Sequence, residues 1–143
     1  MTSRISHTSI DSHDAYAQSR WWAGVLGMHE DPEDPNESGD EECLIISTDG
    51  RTRVLFIEVP EAKHGKNRVH LDLRPTDLTR DEEVVRLLAL GAAPVADLRR
   101  SDGGWMTLAD PEGNEFCVLR SDRELAAQDG PAVAPMPDDE STP

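Results

Sequence analysis

The sequence predicts an α+β domain built from two consecutive modules that share the element order βαβββ. Several short segments alternate apolar and polar residues with a period of two, which is typical of strands. Two other segments have helical periodicity, and each ends in Leu-Gly, at residues 26–27 and 90–91. Each half also opens with a strand that contains one histidine, His7 and His70. A unit of about 60 residues that occurs twice indicates a duplicated module rather than a solenoid.

The first module covers about residues 4–59. Its second strand has no clear position, and an acidic loop rich in proline stands where that strand is expected. Ser12 is the predicted N-cap of the helix, and an Asp-Gly pair predicts a tight hairpin between the last two strands. The predicted elements are a strand over 4–10, a helix over 15–27, the loop over 29–42 and strands over 43–47 and 53–59.

The second module covers about residues 67–120 and is more regular. Thr79 and Glu82 form a predicted capping box at the start of the helix, and Gly91 ends it. A DPEG turn at 110–113 leads into the last strand. The predicted elements are strands over 67–73, 93–99, 104–110 and 114–119, with a helix over 80–90.

The formal net charge of −15 is concentrated in two places. Residues 30–42 contain 8 acidic residues and no basic one, and residues 121–143 contain 6 acidic residues and one basic residue, Arg123. There is no basic stripe, so the charge distribution argues against nucleic acid as a partner. The composition of 121–143, acidic and rich in proline, predicts a disordered tail.

Neither cysteine belongs to a CxxC or Cys/His motif. Cys43 and Cys117 both lie inside apolar runs, which predicts two buried thiols in a reducing compartment. The first ten residues contain no apolar signal segment, and no stretch approaches the roughly 20 apolar residues of a membrane span. We therefore expect a cytoplasmic protein that does not enter the membrane.

Three segments together resemble the glyoxalase/bleomycin-resistance superfamily, also called the vicinal-oxygen-chelate superfamily, from about Arg4 to Arg120. They are the opening strand with a helix that ends in an aromatic pair and Leu-Gly, the segment KNRVHLDL, and the hairpin LADPEGNEFCVL. The resemblance implies a single glyoxalase-like domain over 1–120 whose curved mixed sheets form a cup for a small molecule, with helices on the outer face. Members include metal-dependent isomerases, epimerases and dioxygenases, as well as metal-free proteins that sequester drugs.

The resemblance also implies a set of residues in the cup. In metal-dependent relatives, a histidine or glutamate on each opening strand and a glutamate on each closing strand bind a divalent ion. His7 and His70 match the opening-strand positions, but Phe56 and Cys117 stand at the closing-strand positions. Two glutamates lie two residues from these positions and share their faces by strand alternation. The implied cup residues are His7, Phe56, Glu58, His70, Trp105, Glu115 and Cys117, with a slipped metal set of His7, Glu58, His70 and Glu115 as an alternative.

Three functions remain open from the sequence. The first is a protein that binds a small, largely apolar molecule in its cup without an essential metal, because Phe56 and Cys117 occupy metal-ligand positions. The second is a lyase, isomerase or dioxygenase that depends on a divalent metal, and the third is a protein-interaction module. The sequence does not decide whether the chain is an enzyme. A homodimer is expected, because Trp21 stands beside Trp22 on a helix with few inward positions.

Overall fold

The computed structural model describes residues 1–128 and forms two mixed sheets, one for each module. The first sheet has the strand order β1-β3-β2 and the second has the order β4-β7-β6-β5. The elements are β1 (Thr8–Ser12), α1 (Ala15–Leu26), β2 (Glu42–Ile46), β3 (Arg53–Glu58), β4 (Asp72–Leu73), α2 (Arg80–Ala89), β5 (Ala93–Asp97), β6 (Met106–Ala109), β7 (Glu115–Val118) and α3 (Asp122–Gln128).

The two sheets have equivalent topology, which confirms the predicted α+β class. In each module the opening strand runs parallel to the closing strand, as β1 does to β3 and β4 does to β7. The strand before each closing strand pairs with it in the antiparallel direction. A parallel pair needs a crossover connection, and α1 and α2 form part of these crossovers.

The strand that is hard to place in the first module is reduced to a single bridge. His29 and Ile46 exchange backbone hydrogen bonds of 3.0 and 2.7 Å at the free edge of β2. Further along the acidic loop, the side chain of Asn36 bonds both the N–H and the carbonyl of Leu44, at 3.0 and 2.9 Å. Proline cannot continue the ladder, so the acidic loop covers this edge with one side chain instead of a full strand.

Both opening strands are shorter than the sequence predicts. β1 begins at Thr8 rather than at Arg4, and β4 contains only Asp72 and Leu73. The N-cap of α1 is Asp14, whose side chain accepts a hydrogen bond from the Ala17 N–H at 2.8 Å, and not Ser12. The capping box of α2 is present as predicted.

One continuous apolar core links the modules. Trp22 from α1 and Phe116 from β7 lie with their ring centroids 5.1 Å apart in an edge-to-face arrangement. Trp21 packs at the same junction, 5.9 Å from Phe116, and its indole N–H donates to the Leu90 carbonyl at 2.8 Å. Trp21 therefore packs and hydrogen-bonds within its own chain. Its position on α1 does not indicate a dimer interface, so the reason given for a homodimer is wrong.

The first part of the predicted disordered tail is a helix. In α3, the carboxylate of Glu124 accepts hydrogen bonds of 2.8 Å from the backbone N–H groups of Arg80 and Ser121. Burial would raise the pKa of Glu124, but these backbone hydrogen bonds lower it below its ordinary value. Glu124 thus caps α2 and α3 together, an interaction that composition does not reveal. Residues 129–143, the rest of the predicted tail, lie outside the described residues.

Within residues 1–128, none of the helices has the length and apolar character that a membrane span requires.

Candidate functional site

Strand alternation decides which side chains of the first sheet face the helix. Phe56 is fully buried in the core and shares this face with Val54 and Cys43. Glu58 lies on the same side as Phe56, exposed at the end of β3. The expectation that Phe56 and Glu58 line the cup is therefore wrong, because the closing strand presents its odd-numbered residues on the other face.

His7 is also not at the predicted place. It precedes β1, is exposed, and has its Nδ1 atom 3.1 Å from the Ser6 hydroxyl. It does not line the cavity described below, whereas His70 does. The slipped metal set that required His7 and Glu58 beside His70 and Glu115 is not assembled in this chain.

A cavity of about 640 Å³ lies between β1 and the chain that leads into β4. Ser9 and Asp11 of β1 line it, and Trp22 and Phe116 contribute apolar surface. Other parts of its wall come from the connection after β3, from the segment before β4, and from the turn that opens β7. The polar and charged residues of these three segments that line the cavity are Glu61, Lys63, Asn67, His70, Glu112, Asn114 and Glu115.

The buried carboxylate of Asp110 fixes the turn that forms one wall of this cavity. It is 3% exposed and accepts hydrogen bonds from the backbone N–H groups of Glu112 and Asn114 at 2.9 and 3.0 Å, and from the Asn114 amide at 3.0 Å. It also accepts from the side chains of Gln18 at 2.8 Å and Trp22 at 3.0 Å on α1. Asp110 therefore holds the second module's turn against the first module's helix.

Glu115 fastens the loop over the cavity. Its carboxylate accepts a hydrogen bond from the Asn67 N–H at 2.8 Å and lies 3.2 Å from the Lys63 ammonium. The Asn67 side chain in turn accepts from the Glu115 N–H at 3.0 Å. The hydrogen bond from the Asn67 backbone, followed by the Lys63 charge, lowers the pKa of Glu115 against the effect of burial. Glu115 is therefore an ionised anchor of the loop.

The cavity wall carries more negative than positive charge. Glu115 neutralises the charge of Lys63, and the Glu112 carboxylate accepts hydrogen bonds from the backbone N–H groups of His13 and Asp14. Two further acids, Asp11 and Glu61, line the cavity without a side-chain hydrogen bond or ion pair among residues 1–128. An anionic ligand would meet unfavourable electrostatics here.

A second cluster lies beside the cavity on the same face of the second sheet as Glu115. It consists of His70, Asp72 and Cys117, whose ligand atoms all lie within 4.8 Å of one another. The Nδ1 atom of His70 is 3.0 Å from a carboxylate oxygen of Asp72, and the Cys117 sulfur is 3.6 Å from the Thr107 hydroxyl. Burial raises the pKa of the Cys117 thiol.

Trp105 lies away from the cavity and is 39% exposed. It follows Gly104, which has a φ of +73° and packs so tightly that an added Cβ would lie 2.0 Å from the Leu98 carbonyl oxygen. Buried Arg80 donates to the carbonyls of Gly103 and Gly104, at 2.6 and 3.3 Å, and orders this turn. The expected contact between Trp105 and a ligand in this cavity is therefore not supported.

Residues 7–119 match the family model described as "Glyoxalase-like domain", which is most of the chain. The chain belongs to the glyoxalase-like domain family. This assignment confirms the resemblance to the vicinal-oxygen-chelate superfamily that the sequence segments indicate. No curated protein matches the chain.

Several solved structures have a similar fold. The fosfomycin resistance protein FosX from Mesorhizobium loti is 18% identical, with a TM-score of 0.62 over 89% of this chain and 99% of that protein. A mutant of FosX from Listeria monocytogenes, solved with Mn(II) and 1S,2S-dihydroxypropylphosphonic acid, is 17% identical, with a TM-score of 0.64 over 87% and 94%. A possible glyoxalase from Bacillus cereus is 16% identical, with a TM-score of 0.59 over 82% and 99%. These similarities show the fold alone.

Several residues of the site are not among the cup residues that the sequence implies. Asp72 lies two residues after His70 in an extended segment, so alternation alone would have placed both on one face. Asp11 and Asn67 carry no comparable signal, because their place depends on how β1 and the loop before β4 approach each other. Of the predicted cup residues, the structure brings His70, Glu115 and Cys117 to one face of the second sheet.

Proposed function

We propose that this glyoxalase-like protein binds a small molecule in the cavity between β1 and the segment before β4. The cavity is the observation that carries this proposal, because its volume of about 640 Å³ lies in the range of small-molecule sites. Its wall combines apolar groups such as Ile10 and Phe116 with hydrogen-bonding groups such as Asn67 and His70. Such a wall suits a ligand with an apolar body and a few polar groups.

The charge of the wall limits the ligand further. Asp11 and Glu61 supply negative charge that no described partner neutralises, while the charge of Lys63 is taken by Glu115. The phosphonic acid bound by the Listeria FosX mutant is an anion at neutral pH, so it has the same sign of charge as this wall. We infer that the ligand is neutral or cationic, and that the phosphonate class is a poor fit.

Binding in this cavity does not require a metal. The family implies a divalent ion, but the oxygen-rich donor set that a hard ion such as Mn²⁺ prefers is not assembled. Phe56 is in the core, and Glu115 is held by the loop. A metal-dependent lyase, isomerase or dioxygenase is the second candidate, and the cluster of His70, Asp72 and Cys117 is the observation that favours it.

Three probes that share one apolar body test the cavity and its charge preference. They are 1-naphthylmethylamine, 1-naphthylmethanol and 1-naphthoate, each titrated by calorimetry in the presence of a chelator. We expect the amine to bind about tenfold more tightly than the carboxylate, a difference of about 1.4 kcal/mol, with the alcohol between them.

Ser9→Phe should fill the cavity from β1 and abolish binding of the amine. Thr48→Phe places the same side chain on the exposed β2–β3 hairpin and should leave binding unchanged. Equal binding to wild type and Ser9→Phe would contradict the assignment of the cavity.

We propose that the protein forms a homodimer through the open face of the first sheet. The face opposite α1 carries four aliphatic side chains that are only partly buried: Leu44, Ile46, Leu55 and Ile57. They alternate with the buried core positions and so lie together on one side. Pairing with a second copy would remove this contiguous apolar surface from water.

Sedimentation equilibrium tests the dimer. At a protein concentration on the order of tens of micromolar we expect the wild type to be dimeric and Leu55→Glu to be monomeric, because the charge would be buried at the interface. Thr52→Glu, on the exposed hairpin beside this face, should remain dimeric. A monomeric wild type at this concentration would refute the proposal.

A further inference from the structure

We propose that the cavity binds a short extended peptide, with a basic residue between two apolar ones, which pairs with the edges of both sheets. The inference rests on the proposed binding function of the cavity and names the class of ligand. β1 and β4 are each the edge strand of their own sheet. The cavity lies between β1 and the segment that leads into β4, so both edges are open to it.

The residues that line the cavity show that it contacts the edges of strands. Five consecutive residues, Thr8–Ser12, line it on one side, and three consecutive residues, Val69–Leu71, line it on the other. Neighbouring residues of an extended segment point their side chains to opposite faces of the sheet. A cavity that contacted one face alone would be lined by alternate residues. A ligand in this cavity therefore lies beside the backbone of both segments.

The pairing of β1 with β3 leaves two residues of β1 with backbone groups that face the cavity. In a parallel pair, alternate residues of a strand direct both their N–H and their C=O at the neighbouring strand. The Ser12 carbonyl accepts a hydrogen bond from the Val59 N–H at 2.8 Å, so the even-numbered residues of β1 face β3. Ser9 and Asp11 therefore direct their backbone groups away from β3 and toward the cavity. Together they span the length of a tripeptide.

The segment before β4 presents its backbone in the same way. The Leu71 carbonyl accepts a hydrogen bond from the Cys117 N–H at 2.9 Å, so Leu71 faces β7. His70, the preceding residue of this extended segment, directs its backbone groups to the other side, where it lines the cavity. An extended peptide placed between the two edges can satisfy the outward groups of both, as when a peptide adds a strand to a sheet.

The two faces of the gap differ in character, and this difference sets the sequence pattern of the peptide. On the helix side, Ile10, Trp22 and Phe116 supply apolar surface. On the opposite side, Asp11 carries a negative charge, and Glu61 adds a second negative charge to the cavity wall. Side chains of an extended peptide alternate between the two faces. The pattern that fits is an apolar residue, a basic residue and a second apolar residue.

Calorimetric titration of the full-length protein with N-acetylated tripeptide amides tests the inference. The probes are acetyl-Val-Lys-Val-amide, acetyl-Val-Glu-Val-amide, and two forms of the lysine peptide that are N-methylated at the lysine or at the following valine. Neighbouring N–H groups of an inserted strand point to opposite edges, so each methylation removes a bond to a different sheet. We expect the lysine peptide to bind at least about tenfold more tightly than the glutamate peptide. Each N-methylation should weaken its binding at least about tenfold.

Proline substitutions provide the matched variants. Ser9→Pro removes the N–H that faces the cavity and no bond to β3, and proline is tolerated at such edge positions. It should weaken the lysine peptide at least about tenfold, and about fivefold more than Ser9→Ala, which keeps the N–H. Thr48→Pro places a proline on the exposed β2–β3 hairpin and should leave peptide binding unchanged.

The outcomes separate this inference from the proposed function. Absence of binding of the lysine peptide, no preference for it over the glutamate peptide, or insensitivity to either N-methylation would overturn the inference. The proposed function would stand in each of these cases if 1-naphthylmethylamine binds, and failure of both the amine and the peptide to bind would overturn the two together. If Ser9→Pro does not fold, the N-methylated peptides still decide whether both edges are used.

Discussion

Replacing Asp110 by alanine is expected to lower the free energy of unfolding by about 4 kcal/mol. The Asp110 carboxylate accepts five hydrogen bonds, and two of the donors, the side chains of Gln18 and Trp22, are themselves almost fully buried. Removing the carboxylate leaves these donors without a partner and without access to water. It also releases the turn that contributes Glu112 and Asn114 to the cavity wall, so ligand binding should weaken together with stability.

Urea unfolding followed by circular dichroism measures this effect as a lower transition midpoint. Asp110→Asn keeps the shape of the side chain but places an amide donor against other donors, so it should lose about half as much stability. Asp102→Ala is the control, because Asp102 lies in an exposed turn and should change stability by less than about 0.5 kcal/mol. A loss below about 1 kcal/mol for Asp110→Ala would show that Asp110 does not hold the modules together.

Ending the chain at Arg120 is expected to cost about 2–3 kcal/mol, whereas ending it at Gln128 should cost almost nothing. The first truncation removes α3 and with it the Glu124 carboxylate, which accepts from the backbone N–H groups of Arg80 and Ser121. The second removes only residues 129–143, whose acidic, proline-rich composition shows no apolar periodicity.

Thermal unfolding of the two truncated chains, with Glu124→Gln in the full-length chain, separates the capping interaction from the rest of α3. For a domain of this size the shorter chain should melt roughly 5–10 °C lower. Glu124→Gln should account for about half of this loss, because the amide presents a weaker acceptor. If both truncations melt at the wild-type temperature, the docking of α3 contributes nothing to stability.

The sequence predicts the larger features of this fold because they depend on local patterns. Period-two segments, Leu-Gly helix ends and the Thr79–Glu82 capping box all depend on neighbours in the chain, and the structure contains each of them. The duplicated topology follows from their repeated order. These features need no knowledge of how distant segments meet.

The candidate site could be predicted only in part, because strand register is not local. A change of one residue in strand register turns every side chain of the strand to the other face. In the register that β3 adopts, Phe56 and Glu58 lie on the helix side of the sheet. His7 fails for a related reason, since β1 begins one residue after it. His70, Glu115 and Cys117 share one face because the DPEG turn fixes the start of β7.

The wall of the cavity depends on contacts between segments far apart in the chain. Glu115 holds Asn67 and Lys63 across about fifty residues of sequence, and Glu112 reaches the backbone of His13 in the other module. No periodicity predicts such pairs. The acidic loop is equally hard to predict. Its Asn36 side chain, rather than a strand, bonds the backbone of Leu44 at the edge of β2.

If the cavity between β1 and the segment before β4 is a ligand site, a bound ligand should perturb the residues of its wall. Titration of the ¹⁵N-labelled protein with 1-naphthylmethylamine, followed by amide chemical shifts, tests it most directly. We expect the shifts of Ser9, Asn67 and Glu115 to change together, with one dissociation constant, while those of Thr48 and Asp49 on the exposed β2–β3 hairpin stay constant. Changes confined to β2 and the β2–β3 hairpin, or no change at the three cavity positions at saturating probe, would contradict the proposal.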